Sequence, residues 1–332
     1  MPPQQKLTGI VGLTRQTGGK GVPIVSPATW GLGVMDGNVF NAPITSDYDE
    51  MTLGGGASDR FAPRTIRTEI NPGMAFKCRA QPRTIAFLNY LALGANSTTG
   101  AGPFTHTASP AQDLPYATGF GRLDANYERI QDLRIDEMTI SWSERQAWEV
   151  DLVLLGTIPL IGAGGAFTVT NDETVQELYN PHEGVFQIDV QGTTLAATNL
   201  TAASIRIANN LQPIPLSKSV LPDDVFPRRQ LVEGSITIVP NSLDDWREIL
   251  TASPSGTAVE DDPIYGGFSL KGIIDANTDV TYAATRVEFL TDFPEQDPEG
   301  GAAELELAFR VVRPLDGSAA FTGVARNGVA TL

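Results

Sequence analysis

Residues Trp148 to Leu160 read W-E-V-D-L-V-L-L-G-T-I-P-L, and residues Ala303 to Leu315 read A-E-L-E-L-A-F-R-V-V-R-P-L. Glu149 falls on Glu304, Asp151 on Glu306, Pro159 on Pro314 and Leu160 on Leu315, all 155 positions apart. Both stretches alternate. Trp148, Val150, Leu152 and Leu154 share one face and Glu149 and Asp151 the other, as period-two strand geometry requires. In the second copy Leu305, Leu307, Phe309 and Val311 oppose Glu304, Glu306 and Arg310. Just upstream, Arg134-Ile135-Asp136-Glu137-Met138-Thr139 matches Arg286-Val287-Glu288-Phe289-Leu290-Thr291 at a spacing of 152, so the intervening loop is three residues longer in the second copy. Two alternating segments around a loop of variable length describe a β-hairpin, and the chain carries it twice. Asp136 and Glu288 are further acids of that hairpin.

The repeat extends outward. Alternation continues in Phe186–Val190, Ser204–Ile207 and Leu231–Ile238. Two stretches read as helices. In one, Thr84 caps, Ile85, Leu88 and Ala92 form a stripe, and Gly94 stops the helix. In the other, Ser242 and Asp245 make a capping box ahead of Trp246, Ile249 and Leu250. Phe61-Ala62-Pro63-Arg64 leads into the first and Phe226-Pro227-Arg228-Arg229 into the second. The order of strands, helix, loop and hairpin in both halves predicts a mainly β chain. It divides into two tandem units, 1–165 and 166–332, with the boundary in the glycine-rich stretch 161–166. Long polar loops are expected over 47–59, 96–111 and 292–301.

At 332 residues the length suits two units of ordinary domain size. The one cysteine, Cys78, excludes an internal disulfide and any multi-cysteine metal site. The first residues lack the basic-then-apolar profile of a signal peptide, and no apolar run reaches the ~20 residues that span a bilayer. Synthesis in the cytoplasm without membrane insertion is therefore expected. The formal charge of −16 repels nucleic acid and argues against conventional DNA or RNA binding. It leaves two uses: solubility, or a wall along which a polyanion slides without sticking.

Catalytic constellations are thin. His106 and His182 stand apart in polar contexts and read as surface histidines. Cys78 sits in the alternating segment Phe76-Lys77-Cys78-Arg79-Ala80 and reads as structural. Gly18-Gly19-Lys20-Gly21 lacks the spacing of a phosphate loop. The acids at 47–50, 275–279 and 292–299 could offer oxygens to a hard cation, but none has the EF-hand pattern, and solvated loop acids are the plainer reading. No cofactor is expected. The strongest candidates are the outward acids Glu149, Asp151, Glu304 and Glu306, either as a solvated sheet face or as a functional one.

Several segments together resemble the tail tube proteins of bacteriophages with long, non-contractile tails. They are Gly12-Leu13-Thr14-Arg15-Gln16-Thr17-Gly18-Gly19-Lys20-Gly21, Glu69-Ile70-Asn71-Pro72-Gly73 leading to Phe87-Leu88-Asn89-Tyr90-Leu91-Ala92-Leu93-Gly94, Ser204–Leu211, Phe226-Pro227 and Val232–Thr237. The resemblance implies two tail-tube-type β-sandwich or barrel units, each flanked by a short helix. It also implies self-assembly, with neighbouring sheets joined into a hollow tube in the virion tail through which double-stranded DNA passes. Implied partners are further copies of the chain, a tape measure protein, a tail terminator and a distal tail protein. Two equivalent units point to a homotrimeric ring with pseudo-sixfold symmetry; a hexamer is the alternative. The four acids would then face the lumen, with Asp136 and Glu288 beside them. A single-ring tail terminator or distal tail protein is the second reading, and a β-sandwich adhesin or carbohydrate-binding protein is a more remote third.

Overall fold

The computed structural model describes residues 10–48, 65–123, 126–143, 146–160, 166–172, 178–179, 185–190, 193–197, 200–216, 218–239, 251, 263–290 and 304–332. Its first strands are β1 (Ile10–Arg15), β2 (Ala28–Asn41), β3 (Ile44–Tyr48), β4 (Thr65–Ile70) and β5 (Gly73–Arg79), followed by helix α1 (Pro82–Leu93). Then come β6 (Gly94–Thr99), β7 (Phe104–Pro110), β8 (Ala117–Leu123), β9 (Asn126–Ser143), β10 (Gln146–Leu155), β11 (Ile158–Leu160) and β12 (Val169–Asp172). The remainder contributes β13 (Val185–Val190), β14 (Thr193–Ala197), β15 (Leu200–Ala208), β16 (Gln212–Pro215), β17 (Pro222–Phe226) and β18 (Leu231–Ile238). The last four strands are β19 (Tyr265–Asp275), β20 (Thr278–Leu290), β21 (Leu305–Val311) and β22 (Phe321–Asn327). The chain is mainly β, as its alternation predicts.

Both predicted hairpins form. β9 pairs antiparallel with β10, and β20 with β21. Around them one sheet runs without a break through eight strands in the order β2, β5, β10, β9, β15, β18, β21, β20, every pair antiparallel. Within that order the same four-strand pattern occurs twice: edge strand, inner strand, then the two arms of the hairpin in reverse chain order. β2 and β15 take the edge position, and β5 and β18 the next. The join between the two sets is β9 against β15, seven residue pairs from Glu137↔Ala208 to Ser143↔Ala202.

The periodicity that builds the strands also builds the core. Trp148, Val150, Leu152 and Leu154 are fully buried, as are Met138, Ile140, Ile205, Ile207, Ile236, Leu307 and Phe309 on neighbouring strands. They belong to one continuous cluster that takes in residues of both halves of the chain. Trp148 shows this best. It leaves β10 to lie 5.9 Å from the ring of Tyr179 and 6.3 Å, stacked, from Tyr282 of β20.

Helix α1 begins two residues before the predicted Thr84 cap. Gln81 is its N-cap, Pro82 opens it, and Thr84 is buried inside the first turn. Proline is favoured at that position because its missing N–H would be unpaired there anyway. The predicted stripe of Ile85, Leu88 and Ala92 is buried, but so are nearly all the helix's other residues. Asn89 accepts the Tyr282 hydroxyl at 3.1 Å, tying the helix to the second half. Gly94 ends it at φ 99°, a conformation L side chains rarely adopt. The second predicted helix, Ser242 to Leu250, lies outside the described residues; Thr251, next along the chain, is helical.

Two expectations are corrected. Residues 96–111 are not a long loop: β6 and β7 form a hairpin whose turn holds Gly100 and Gly102 at positive φ. β7 in turn pairs with β22, so its polar-looking alternation belongs to a strand shared with the far end of the chain. His106 is accordingly not a surface histidine. It is 1% exposed, with Thr98 Oγ1 2.9 Å from Nδ1 and the Val329 carbonyl 2.7 Å from Nε2. The loops predicted at 47–59 and 292–301, like His182, lie almost wholly outside the described residues. The predicted boundary at 161–166 is described only at Ala166; just beyond it, β12 pairs parallel with β2 of the first half.

Each half also projects an arm between its edge and inner strands. β3 and β4 make the first arm and β16 and β17 the second, each a separate two-stranded sheet.

Candidate functional site: one charged face of the continuous sheet

Strand alternation puts one face of the eight-stranded sheet on the core and leaves the other outside. Lateral pairing fixes which side chains are neighbours there. One row crosses all eight strands: Asp36, Lys77, Asp151, Thr139, Arg206, Glu233, Arg310 and Glu288. The next row in the same sense holds Arg79, Glu149, Ser141, Ser204, Ser235 and Ala308, and the one after it Ser143, Ala202, Thr237 and Glu306. Asp151, Glu304 and Glu306 are exposed and Glu149 is half-buried; Glu304 immediately precedes β21. Glu149, Asp151 and Glu306 therefore lie on one face of one sheet, with Glu304 just before β21, although they come from opposite halves of the chain.

The repeat does not place them side by side. Asp151 matches Glu306 in sequence, but the row through Asp151 reaches β21 at Arg310, four residues from Glu306. At about 3.3 Å per residue that is a stagger of roughly 13 Å over four strand steps. One residue of shear per strand is the ratio found in a closed barrel whose strands tilt by about 36°.

The face also carries cations that sequence reading missed. The rows around Asp151 hold the carboxylates Asp36, Glu137, Glu149, Asp151, Glu233, Glu288 and Glu306 and the cations Lys77, Arg79, Arg206 and Arg310. Each cation has a carboxylate directly opposite on the next strand, where side chains interact most strongly. Lys77 Nζ lies 2.5 Å from Glu149, a hydrogen bond that raises the lysine's pKa. Arg206 donates to Glu137 at 2.6 Å and to Glu233 at 2.7 Å, bridging β9 and β18 across the join. Its hydrogen bond holds the Glu137 carboxyl below the usual range. Arg79 and Arg310, both exposed, face carboxylates in register but form no ion pair among the described residues, and neither do the acids Asp151, Glu304 and Glu306. The cations could have been found only by knowing which strands lie together.

Asp136 departs from this pattern. It sits where the β9–β10 register shifts, half-buried, and its carboxylate accepts the Leu211 N–H at 2.7 Å. Burial raises its pKa. Its shown partner is the chain leading into the second arm. Glu288, by contrast, stands in register between Tyr265 and Arg310.

Removing the Arg206 bridge should cost little but with a definite pH signature. The pair is about one-third exposed, so Arg206→Ala should destabilise the monomer by about 1 kcal/mol at neutral pH. Glu137's lowered pKa contributes stability above the ordinary glutamate range that is lost as pH falls through the lowered value. The difference between variant and wild type should therefore shrink toward about pH 3. Urea unfolding at the two pH values checks this, and an equal difference at both would contradict it.

Among the described residues no group of three or more His, Cys, Asp or Glu side chains could hold a metal ion, and no helix is long and apolar enough to cross a membrane. Cys78 is buried in β5, and desolvation pushes its thiol up to about 12, far from a reactive thiolate. In the comparison with known families, the model described as phage tail tube protein matches residues 25–319. The chain belongs to the phage tail tube protein family. No curated protein matches it. As a tail tube protein it is a structural component of the phage tail that assembles with itself, and not an enzyme.

Proposed function

We propose that the chain closes, three copies at a time, into a ring whose inner wall is the eight-stranded sheet, and that rings stack into the tube that conducts DNA. The observation that carries this is the doubled strand order, β2–β5–β10–β9 followed by β15–β18–β21–β20, joined by an ordinary antiparallel seam. Residues 1–165 and 166–332 are then two equivalent tail-tube units already docked as neighbours. The β9–β15 seam is the template for the contact between chains, where the outer edge of β2 meets the end of β20 of the next copy. Among the described residues no strand pairs with that edge of β2 beyond Gly33. Closing the ring satisfies its backbone groups and removes an edge that would otherwise invite uncontrolled pairing.

Size favours three copies. Three copies supply twenty-four strands. With strands about 4.8 Å apart and tilted by about 36°, the barrel would be about 45 Å across between backbones, which leaves room for a duplex once side chains are added. Six copies contributing the same strands would double this to about 90 Å, far wider than one duplex needs. The charged face turns inward. Carboxylates outnumber cations on this face and repel phosphates, and Lys77 and Arg206 are already engaged by carboxylates, so the wall favours passage of DNA over binding.

Tape measure, terminator and distal tail proteins are the partners such a tube requires at its core and its ends. Negative-stain microscopy of the purified protein should show rods with a central channel. Isolated rings that never stack would favour a terminator or distal ring, and compact monomers at all concentrations would contradict the proposal.

A further inference from the structure

The second arm docks on the first half of its own chain through a defined socket. Arg134 of β9 is 3% exposed and sits over the Tyr116 ring, its guanidinium carbon 3.9 Å from the centroid. It donates to the Val225 carbonyl of β17 at 2.9 Å and to Asp113 at 2.8 Å, while the Tyr116 hydroxyl donates to Asp224 at 3.0 Å. Val225 is fully buried in the contact. A guanidinium held over an aromatic ring has its fork kept in place for a carbonyl and a carboxylate. Nearby, Lys20 pairs with Asp223 at 2.8 Å. The arm is a clasp from the second unit onto the first.

The second half carries the same socket. Arg286 occupies the position of Arg134 in the repeated hairpin, and its guanidinium lies 4.0 Å over the ring of Tyr265. The sequence around the tyrosine is repeated too: Asp113-Leu114-Pro115-Tyr116 against Asp262-Pro263-Ile264-Tyr265. Both ring and guanidinium are only half-buried, and Arg286 Nη1 donates to the Arg313 carbonyl at 3.2 Å, an exposed contact in place of a docked strand. Among the described residues no arm reaches this pair.

We propose that the Arg286–Tyr265 pair is the socket for the first arm, β3–β4, of a second copy of the chain. Direction decides the occupant. The second arm leaves β15, which adjoins β9, and grips the arginine of β9. The first arm leaves β2, whose free edge adjoins β20 of the next copy in the ring, and the arginine of β20 is Arg286. The described part of the first arm exposes Ile44 and Ile66, each about half accessible (53% and 50%), apolar surface that a neighbour would cover.

This rests on the ring reading, so the test separates the two. Full-length protein carrying p-benzoylphenylalanine in place of the exposed Arg313 is mixed with isotopically heavy wild type, assembled and irradiated. Cross-links between light and heavy chains should map to residues 44–70. In parallel, Arg286→Ala should keep the wild-type melting profile while raising the concentration needed for assembly about tenfold or more. Rings with cross-links elsewhere or within one chain, or an Arg286→Ala protein that assembles at the wild-type concentration, would overturn the socket and leave the ring standing. Wild type that never assembles would overturn both.

Discussion

Replacing Glu149, Asp151, Glu304 and Glu306 together by lysine should leave tubes able to form and slow or stall DNA ejection. The four positions are exposed or half-buried, so the core under Val150, Leu152 and Leu307 is untouched. Electrostatically the change is large. The four changes remove four carboxylates and add four cations per chain, and the proposed ring would repeat this in each of its three copies. Glu149→Lys also releases Lys77 from the ion pair that now holds it. A wall of free ammonium groups binds phosphates by releasing their counterions, and each row adds another such contact. Affinity of that origin falls steeply with salt, so ejection should recover as salt is raised. Ejection followed by dye uptake into released DNA, at two salt concentrations, gives the result. Unchanged kinetics at low salt would remove the electrostatic role of this face. The glutamine and asparagine versions should fall between.

Trp148→Ala should have the largest effect on folding, about 3–5 kcal/mol. The indole is fully buried and packs on Tyr179 and Tyr282. It also lies so close to β19 that a Cβ added at Gly272 would come within 2.9 Å of its ring. It therefore fills a space that the second half builds around a residue from the first. Truncation leaves a cavity that two sheets cannot collapse without breaking their ladders. Because the core is shared, amides in both β10 and β20 should lose hydrogen-exchange protection. Loss confined to β10 would mean that the halves are energetically independent. Trp148→Phe keeps most of the volume and should recover much of the loss.

How much of this the sequence shows depends on the range of the interaction. Period-two alternation is local, and in W-E-V-D-L-V-L-L it gives the inward and outward residues correctly: Trp148, Val150, Leu152 and Leu154 are buried, Asp151 is exposed and Glu149 half-buried. The hairpins are nearly local and were readable as well. The seam between β9 and β15 was not, because nothing in either strand names its partner. With the seam hidden, so were the cations Lys77 and Arg206, the row through Asp151 and Arg310, and the stagger of the two acid pairs. His106 looked exposed because its neighbours are threonines, and it is buried because β22, more than two hundred residues away, pairs with β7. Asp136 looked like one more outward acid; the register shift at its position engages it with the Leu211 amide instead. A repeat aligned by sequence thus marks equivalent residues, while their spacing in the sheet is set by pairing between distant strands.

The sharpest test of the ring is its symmetry. Helical reconstruction or end-on averaging of the assembled tube should show three copies per ring, a pseudo-sixfold outline and an inner wall about 45 Å across between backbones, lined by the face that carries Asp151 and Glu306. Six copies per ring, or a lumen lined by any other face, would contradict it.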